Sequence, residues 1–121
     1  MTERLVYKIC PRQDWDDAAK RGRFDGSAVD RRDGFIHLSD DSQVVETAAR
    51  HFSGQADLVL VAFEASQLGP ALRWEPSRGG ALFPHYYGAL PVSAALWVEP
   101  LKLDRAGDHV FPARSKRRLM R

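Results

Sequence analysis

The order of predicted secondary structure favours an α+β fold built on a mixed or mainly antiparallel sheet. Hydrophobic periodicity predicts the order β-α-β-α-β-β, followed by a glycine-rich turn and a last strand. Two helices fall in the N-terminal half of the chain, and strands dominate the second half. A doubly wound parallel sheet would alternate strands and helices along its whole length, so that class is not expected.

The composition is that of a single soluble domain. The chain has 121 residues, of which 44% are hydrophobic and 28% are charged, and this length supports one core rather than two. No apolar run approaches the roughly 20 residues of a membrane span, and no signal-peptide core precedes the first strand pattern. Cys10 is the only cysteine, which excludes an internal disulfide and a cysteine-built metal site. We therefore expect a cytoplasmic protein with no membrane partner.

Basic residues are concentrated at the C-terminus. Residues 112–121 hold five basic groups and no acid, which leaves 13 basic and 16 acidic residues, a net charge of −3, in the rest of the chain. We expect a single globular domain over residues 1–111 and a basic, disordered tail over residues 112–121. The core is not expected to bind nucleic acid, although the tail could contact phosphate or an acidic partner.

The N-terminal half begins with a strand and a helix. Alternation over residues 5–9 predicts a strand with Leu5, Tyr7 and Ile9 on one face and Val6 and Lys8 on the other. A helix is expected to follow from Pro11 to Gly22. Residues 23–33 have the composition of an exposed loop, because they contain Asp25-Gly26 and the charged run from Asp30 to Asp33.

The next two elements are a strand and a second helix. Over residues 34–39, alternation places Phe35, His37 and Ser39 on one face and Ile36 and Leu38 on the aliphatic, core face. Apolar residues at helical spacing predict a helix over residues 44–52.

Three strands are expected in the second half. Residues 57–64 form a nearly continuous apolar run, which is typical of a central strand covered on both faces. Shorter strands are predicted over residues 72–75 and 92–99; Pro100 would end the last one, with residues 101–103 as a candidate extension.

Residues 74–88 concentrate groups that can donate, accept or stack. They include Glu75, Arg78, His85 and Tyr87. We expect them to form the mouth of a pocket, with residues 34–39 as its opposite wall. His37 and Ser39, on one face of their strand, would hold the polar edge of a ligand.

Structural roles compete with these assignments. Glu75 beside Trp74 could be shielded and so act as a general acid or base, or it could pair with Arg73 or Arg78 in an ion pair. The imidazole of His37 could hydrogen-bond to a neighbouring backbone carbonyl instead of a ligand. His51 is best interpreted as a capping or packing residue at the end of its helix. The four histidines lack His-x3-His spacing, so no metal site is expected.

The chain resembles a bacterial family of domains of unknown function, numbered 952. The resemblance rests on Gly34-Phe35-Ile36-His37-Leu38-Ser39, on Trp74-Glu75 and on Phe83-Pro84-His85-Tyr86-Tyr87-Gly88, and it covers about residues 4–103. It implies the fold of the ADP-ribosyltransferase superfamily, a small split β-sandwich with a cleft for a nicotinamide dinucleotide.

Within that superfamily, residues 35–39 are similar to the His-Val-His-Leu-Ser stretch of RNA 2′-phosphotransferases. The match reaches His37, Leu38 and Ser39. Tyr7-Lys8 stands where those enzymes carry an Arg-His or His-Gly pair, and no Glu-x-Glu or Gln-x-Glu pair precedes the last strand.

The resemblance implies an ADP-ribosyltransferase-like enzyme, or a binder of a nucleotide of the NAD or ADP-ribose type, with NAD as substrate or ligand. The catalytic candidates are His37, Glu75 and His85. The candidates for substrate binding are Tyr7, Lys8, Ser39, Arg78 and Tyr87. The alternative is a non-catalytic module on the same fold that binds another small metabolite or a protein.

Overall fold

The structure, a computed structural model, describes residues 4–119, except for the side chains of residues 116 and 117. Ten strands and four α-helices lie in this part of the chain. The strands are β1 (Leu5–Pro11), β2 (Arg23–Phe24), β3 (Ile36–His37), β4 (Ser39–Asp40), β5 (Leu58–Glu64), β6 (Leu72–Pro76), β7 (Leu82–Tyr86), β8 (Leu90–Pro91), β9 (Ala95–Leu103) and β10 (His109–Val110). The helices are α1 (Arg12–Arg21), α2 (Ala28–Asp33), α3 (Val44–His51) and α4 (Ala113–Leu119). Over this range, no helix has the length and apolar character that a membrane crossing requires.

The strands form three antiparallel sheets. The largest has the order β10-β9-β5-β1-β4, a second has the order β3-β7-β6, and β2 pairs with β8. Every strand pairing among the described residues is antiparallel. The predictions of an α+β fold and of a mainly antiparallel sheet are therefore confirmed.

The five-stranded sheet is covered on both faces. Strand β5 lies between β9 and β1, and its residues from Leu58 to Phe63 are all buried, as the apolar run predicted. Along β1, Leu5, Tyr7 and Ile9 face a core that includes Val44 and Ala48 of α3.

The other face of this sheet packs against the three-stranded sheet and α1. Val6 and Cys10 of β1 share a core with Trp15 of α1 and with Ile36 and Tyr86 of the three-stranded sheet. Burying apolar side chains between two sheets is the main source of stability in such a fold. The predicted strand β1, with its two faces, and the predicted first helix are both confirmed, and Gly22 ends α1 in the left-handed conformation.

The prediction of an exposed loop over residues 23–33 was wrong. Strand β2 and helix α2 occupy this segment, and Asp30 is 2% exposed. A capping box begins α2: the Ser27 side chain accepts from the backbone of Asp30, and the Asp30 carboxylate accepts from the Ser27 N–H. The pattern Ser27-x-x-Asp30 was the signal for this helix.

The predicted strand over residues 34–39 is two short strands in different sheets. β3 pairs with β7, whereas β4 pairs with β1. Leu38 lies between them, and its N–H donates to the carbonyl of Pro84 at 3.0 Å. Because the chain changes sheet here, the alternation that put His37 and Ser39 on one face does not hold.

The C-terminal part also differs from the expectation. Residues 113–119, assigned to a disordered tail, form α4, which packs Leu119 against the core of α3 and places Arg118 3.1 Å from Asp41. Helices are thus not confined to the N-terminal half. Residues 120–121 lie outside the described part of the chain. The predicted start of the last strand was wrong, because residues 92–94 form a 3-10 turn and β9 begins at Ala95. Pro100 does not end β9, which continues to Leu103 and so confirms the extension; β10 pairs only with its end, at Lys102 and Leu103.

Gly26 is expected to be intolerant of any side chain. A Cβ added there would lie 2.8 Å from the Cβ of Asp30, and the backbone φ is +108°. Gly26→Ala should therefore lower the free energy of unfolding, measured in urea, by more than the roughly 1–2 kcal/mol that a left-handed backbone alone costs. Gly22→Ala is the matched control, because its φ is +85° and no atom lies within 4 Å of its added Cβ. Equal losses in the two variants would contradict this account of the Asp30 environment.

Candidate functional site

The candidate site lies on the outward face of the three-stranded sheet. The register pairs His85 of β7 with His37 of β3 on one side and with Arg73 of β6 on the other. Since side chains alternate along a strand, these residues share one face. The opposite face, which carries Ile36 and Tyr86, belongs to the core.

His85 and Tyr87 converge on one carboxylate oxygen. The Nδ1 of His85 lies 2.9 Å from Oε1 of Glu75, and the hydroxyl of Tyr87 donates to the same oxygen at 2.7 Å. The hydrogen bond from Tyr87, and to a smaller extent that from His85, lowers the pKa of Glu75. The same bond to Glu75 raises the pKa of Tyr87. Glu75 therefore acts as an acceptor inside the site rather than as the ion-pair partner of Arg73 or Arg78.

His85 presents one free ring nitrogen to solvent. The residue is 5% exposed, and a carboxylate partner at Nδ1 requires the hydrogen on that nitrogen. Nε2 has no hydrogen-bond partner among the described residues. Every fully buried side-chain nitrogen or oxygen of these residues does have a partner, so Nε2 is not one of the fully buried atoms. Nε2 must therefore reach the surface. An imidazole held in this way can accept a proton from a bound group.

Aromatic rings lie on one side of the His85 ring. Phe35 stacks on His85 with ring centroids 4.1 Å apart and an interplanar angle of 28°, and it lies 5.5 Å from the ring of Tyr87. The guanidinium of Arg73 lies 4.9 Å from the centroid of the Tyr87 ring. The alternation of Phe35 with His37 had indicated that Phe35 faces the site, but sequence reasoning assigned it no role.

Both ring nitrogens of His37 are occupied by carboxylates of α2. Nδ1 lies 2.7 Å from Oδ1 of Asp30, and Nε2 lies 3.0 Å from Oδ2 of Asp33. His37 meets His85 edge-on, with ring centroids 5.8 Å apart. The structure brings His37 to the site, but its ring nitrogens hold α2 in place rather than facing a ligand.

Asp30 is the buried acceptor behind the site. It accepts from Nζ of Lys8 at 2.7 Å, from the backbone and Nδ1 of His37, and from the backbone of Ser27. Burial raises the pKa of Asp30, but the hydrogen bond from His37 and the charge of Lys8 outweigh burial and hold the pKa well below its usual range. Lys8 is 4% exposed, so its side chain is committed to this internal contact.

Tyr7 and Ser39 lie away from the site. Tyr7 is 1% exposed on the α3 side of the central sheet, where burial and its hydrogen bond to Asp41 raise its pKa. Ser39 is 4% exposed, and its Oγ lies 2.9 Å from Oγ1 of Thr47. Tyr7 and Ser39 pair across β1 and β4, and both side chains face α3, so the structure does not bring them together with His85 and Glu75.

A cleft lies beside Phe35, and its lining includes neither His85, Glu75 nor Tyr87. It has a volume of about 300 Å³ and is lined by Asp25, Asp30, Phe35, Gly88 and Ala89, among others. A second cleft, of about 170 Å³, lies between α3 and the β10 region and shares no residue with the site. Among the described residues, no group of three or more histidine, cysteine or acidic side chains is arranged to hold a metal ion.

Arg78 lies at the far end of the same face. Its guanidinium is 4.9 Å from the centroid of the Phe83 ring, and its Nη1 is 3.0 Å from Nε2 of His51. Sequence reasoning treated His51 as a capping or packing residue, and only the fold shows that it faces Arg78.

This fold and this outward-facing His–Glu pair define a small α+β protein with a surface site of aromatic and acid–base groups. The chain belongs to the family described as "Protein of unknown function (DUF952)", which matches residues 9–98. The predicted family membership is therefore confirmed.

Solved structures of protein CC0527 from Caulobacter crescentus are similar to this one. The X-ray crystal structure has 56% sequence identity and a TM-score of 0.85, with 88% of this chain and 93% of that chain covered. The solution NMR structure has 57% identity and a TM-score of 0.78, covering 86% and 90%. A search of curated proteins found no match.

Replacing Asp30 by Asn should destabilise the protein by about 3–5 kcal/mol at neutral pH, because Lys8 would lose the carboxylate that balances its buried charge. The pKa of Asp30 is depressed in the folded state. Its contribution is therefore complete above the unfolded pKa of about 4 and declines as the pH falls below that value. Urea titrations should show the difference between the two proteins shrinking towards about pH 2.

Asp16→Asn is the control for this comparison. It removes an exposed carboxylate 3.9 Å from Arg12 and should cost less than about 1 kcal/mol. A stability difference for Asp30→Asn that stayed constant down to about pH 2 would contradict the assigned role of the charge.

Proposed function

We propose that this protein binds a small nucleotide-like ligand of the NAD or ADP-ribose type and uses His85 as an acid–base group. One observation carries the proposal: His85 is buried, its Nδ1 is held by Glu75, and its Nε2 is open beside Phe35. The similarity of residues 35–39 to RNA 2′-phosphotransferases supports the ligand class.

The aromatic groups suit a flat ring. Phe35 lines the cleft, Tyr87 lies beside Phe35, and Arg73 lies over the Tyr87 ring. Stacking of a base on an aromatic side chain contributes about 1–3 kcal/mol, and every base or nicotinamide ring has a face that can take part.

The acid–base pair suits transfer of a sugar. Nε2 of His85 would accept the proton of a water or hydroxyl nucleophile as its oxygen bonds to the anomeric carbon. The bond from that carbon to nicotinamide breaks, and nicotinamide leaves with the electron pair. The Glu75 carboxylate keeps the imidazole in one tautomer and stabilises it once it is protonated, as an orienting carboxylate does in other His-based sites.

The roles of the other predicted residues change in this proposal. His37 becomes a positioning residue, because both of its ring nitrogens are bound to α2. Lys8 supports it through Asp30, and neither Tyr7 nor Ser39 contacts the ligand. Arg78 is left at the end of the face, where it can reach only an extended ligand.

The second candidate is a non-catalytic module that binds the same class of ligand without turnover. This candidate is favoured because the described cluster offers a ligand one acid–base nitrogen, Nε2 of His85, and no second acid–base group. Glu75 already accepts two hydrogen bonds, and both ring nitrogens of His37 contact carboxylates. Ligand-induced stabilisation without nicotinamide release would support this candidate.

Calorimetric titration with NAD and with ADP-ribose tests ligand binding. Phe35→Leu should weaken binding about tenfold, which corresponds to about 1.4 kcal/mol of lost stacking. Glu99→Gln is the control, since Glu99 pairs with Arg114 at 3.3 Å outside the site and should bind as the native protein does. Absence of binding to the native protein at millimolar ligand would contradict the proposal.

Release of nicotinamide from NAD, followed chromatographically, tests the chemistry. His85→Gln should slow it by about 10²-fold or more, the usual contribution of a general base. Glu75→Gln should slow it less, because the amide oxygen can still accept from Nδ1. Equal rates in the native protein and both variants would exclude His85 as the acid–base group.

A further inference from the structure

A fixed guanidinium lies at the end of the site face opposite the cleft. Arg78 donates through Nη1 to Nε2 of His51 at 3.0 Å and through Nη2 to Oγ1 of Thr47 at 3.4 Å, while its plane lies near the ring of Phe83. Its side chain is 22% exposed. Contacts with α3 and β7 therefore hold a permanent positive charge in one place while leaving part of it accessible.

His51 complements this charge as a neutral acceptor. An arginine always donates, so Nε2 of His51 accepts, and the ring hydrogen lies on Nδ1. Burial, then Arg78 and Arg50, lower the pKa of His51, and His37 adds a smaller effect in the same direction.

The negative charge beside Arg78 is weakly held. Among the described residues, Glu46 is the only acidic partner of Arg78, at 3.6 Å, and its side chain is 59% exposed. An exposed pair of this kind contributes about 0–1 kcal/mol. Glu46 also lies 3.5 Å from Arg50, so it keeps a partner if another anion takes Arg78.

We propose that Arg78 and His51 form a subsite for the phosphate or pyrophosphate of the ligand whose ring stacks near Phe35. Phe83 lies in β7 and Tyr87 directly follows that strand; the offset of four residues between them spans about 13 Å of extended chain. A ligand that reaches from the cleft to Arg78 therefore needs a sugar and phosphate beyond its ring. This inference rests on the proposed function and assigns the pyrophosphate of such a ligand to Arg78 and His51.

Calorimetric titrations with adenosine, ADP and inorganic pyrophosphate test the subsite. ADP should bind the native protein at least about tenfold more tightly than adenosine, because charge-assisted hydrogen bonds to phosphate are added. Arg78→Gln should abolish this difference and the binding of pyrophosphate. The matched control is Arg114→Gln, which removes another arginine that lies near an aromatic ring and a glutamate but is remote from the site.

Glu46→Gln provides a second variant that does not depend on the structural role of Arg78. Removing this exposed competing carboxylate should tighten pyrophosphate binding severalfold. Saturable shifts of the His51 imidazole resonances on addition of pyrophosphate would place the anion at the subsite.

The outcomes separate this inference from the proposed function. If adenosine binds and ADP has no higher affinity than adenosine, the phosphate subsite is overturned and the ring site is supported. Pyrophosphate binding that depends on Arg78, without adenosine binding, would support the subsite and contradict the ring site. Pyrophosphate affinities that are equal in the native protein and in Arg78→Gln would also overturn the subsite.

Discussion

The Asp30 carboxylate connects the elements on which the site depends. It accepts from Lys8 in β1, from the backbone at the start of α2, and from both the backbone and the ring of His37 in β3. Its burial makes these hydrogen bonds strong and makes an unpaired Lys8 costly. One side chain thereby fixes the edge of the three-stranded sheet to the central sheet, where apolar packing alone would leave the position of His37 less defined.

The site inherits its geometry from that connection and from strand pairing. The ring of His37 lies 4.6 Å from that of Phe35. The pairing of β3 and β6 with β7 sets His85 between His37 and Arg73, with Glu75 two residues further along β6. The His85 imidazole is thus held by backbone register on two sides and by a hydrogen bond to Glu75. Recognition of a ring at one end and of an anion at the other would both use this single rigid surface.

Strong periodic patterns in the sequence predicted the scaffold and part of the site. The faces of β1, the buried β5 and helices α1 and α3 follow from apolar spacing, which reflects burial directly. The convergence of His37, Glu75, His85 and Tyr87 was expected from their density in two segments. Asp30 was missed because a charged run normally lies in solvent, and only a tertiary contact with Lys8 makes its burial favourable. Ser39 was misplaced because alternation assumes one strand, whereas the chain changes sheets at Leu38.

The tautomer of His85 tests the central claim most directly. In long-range ¹H–¹⁵N NMR spectra of the unliganded protein, the neutral imidazole of His85 should carry its hydrogen on Nδ1, facing Glu75, with Nε2 free to accept. Glu75→Gln should keep this tautomer, because its amide oxygen can replace the carboxylate oxygen as acceptor. A hydrogen on Nε2 in the native protein would show that the solvent-facing nitrogen is a donor, and would contradict the account of His85 as a base held by Glu75.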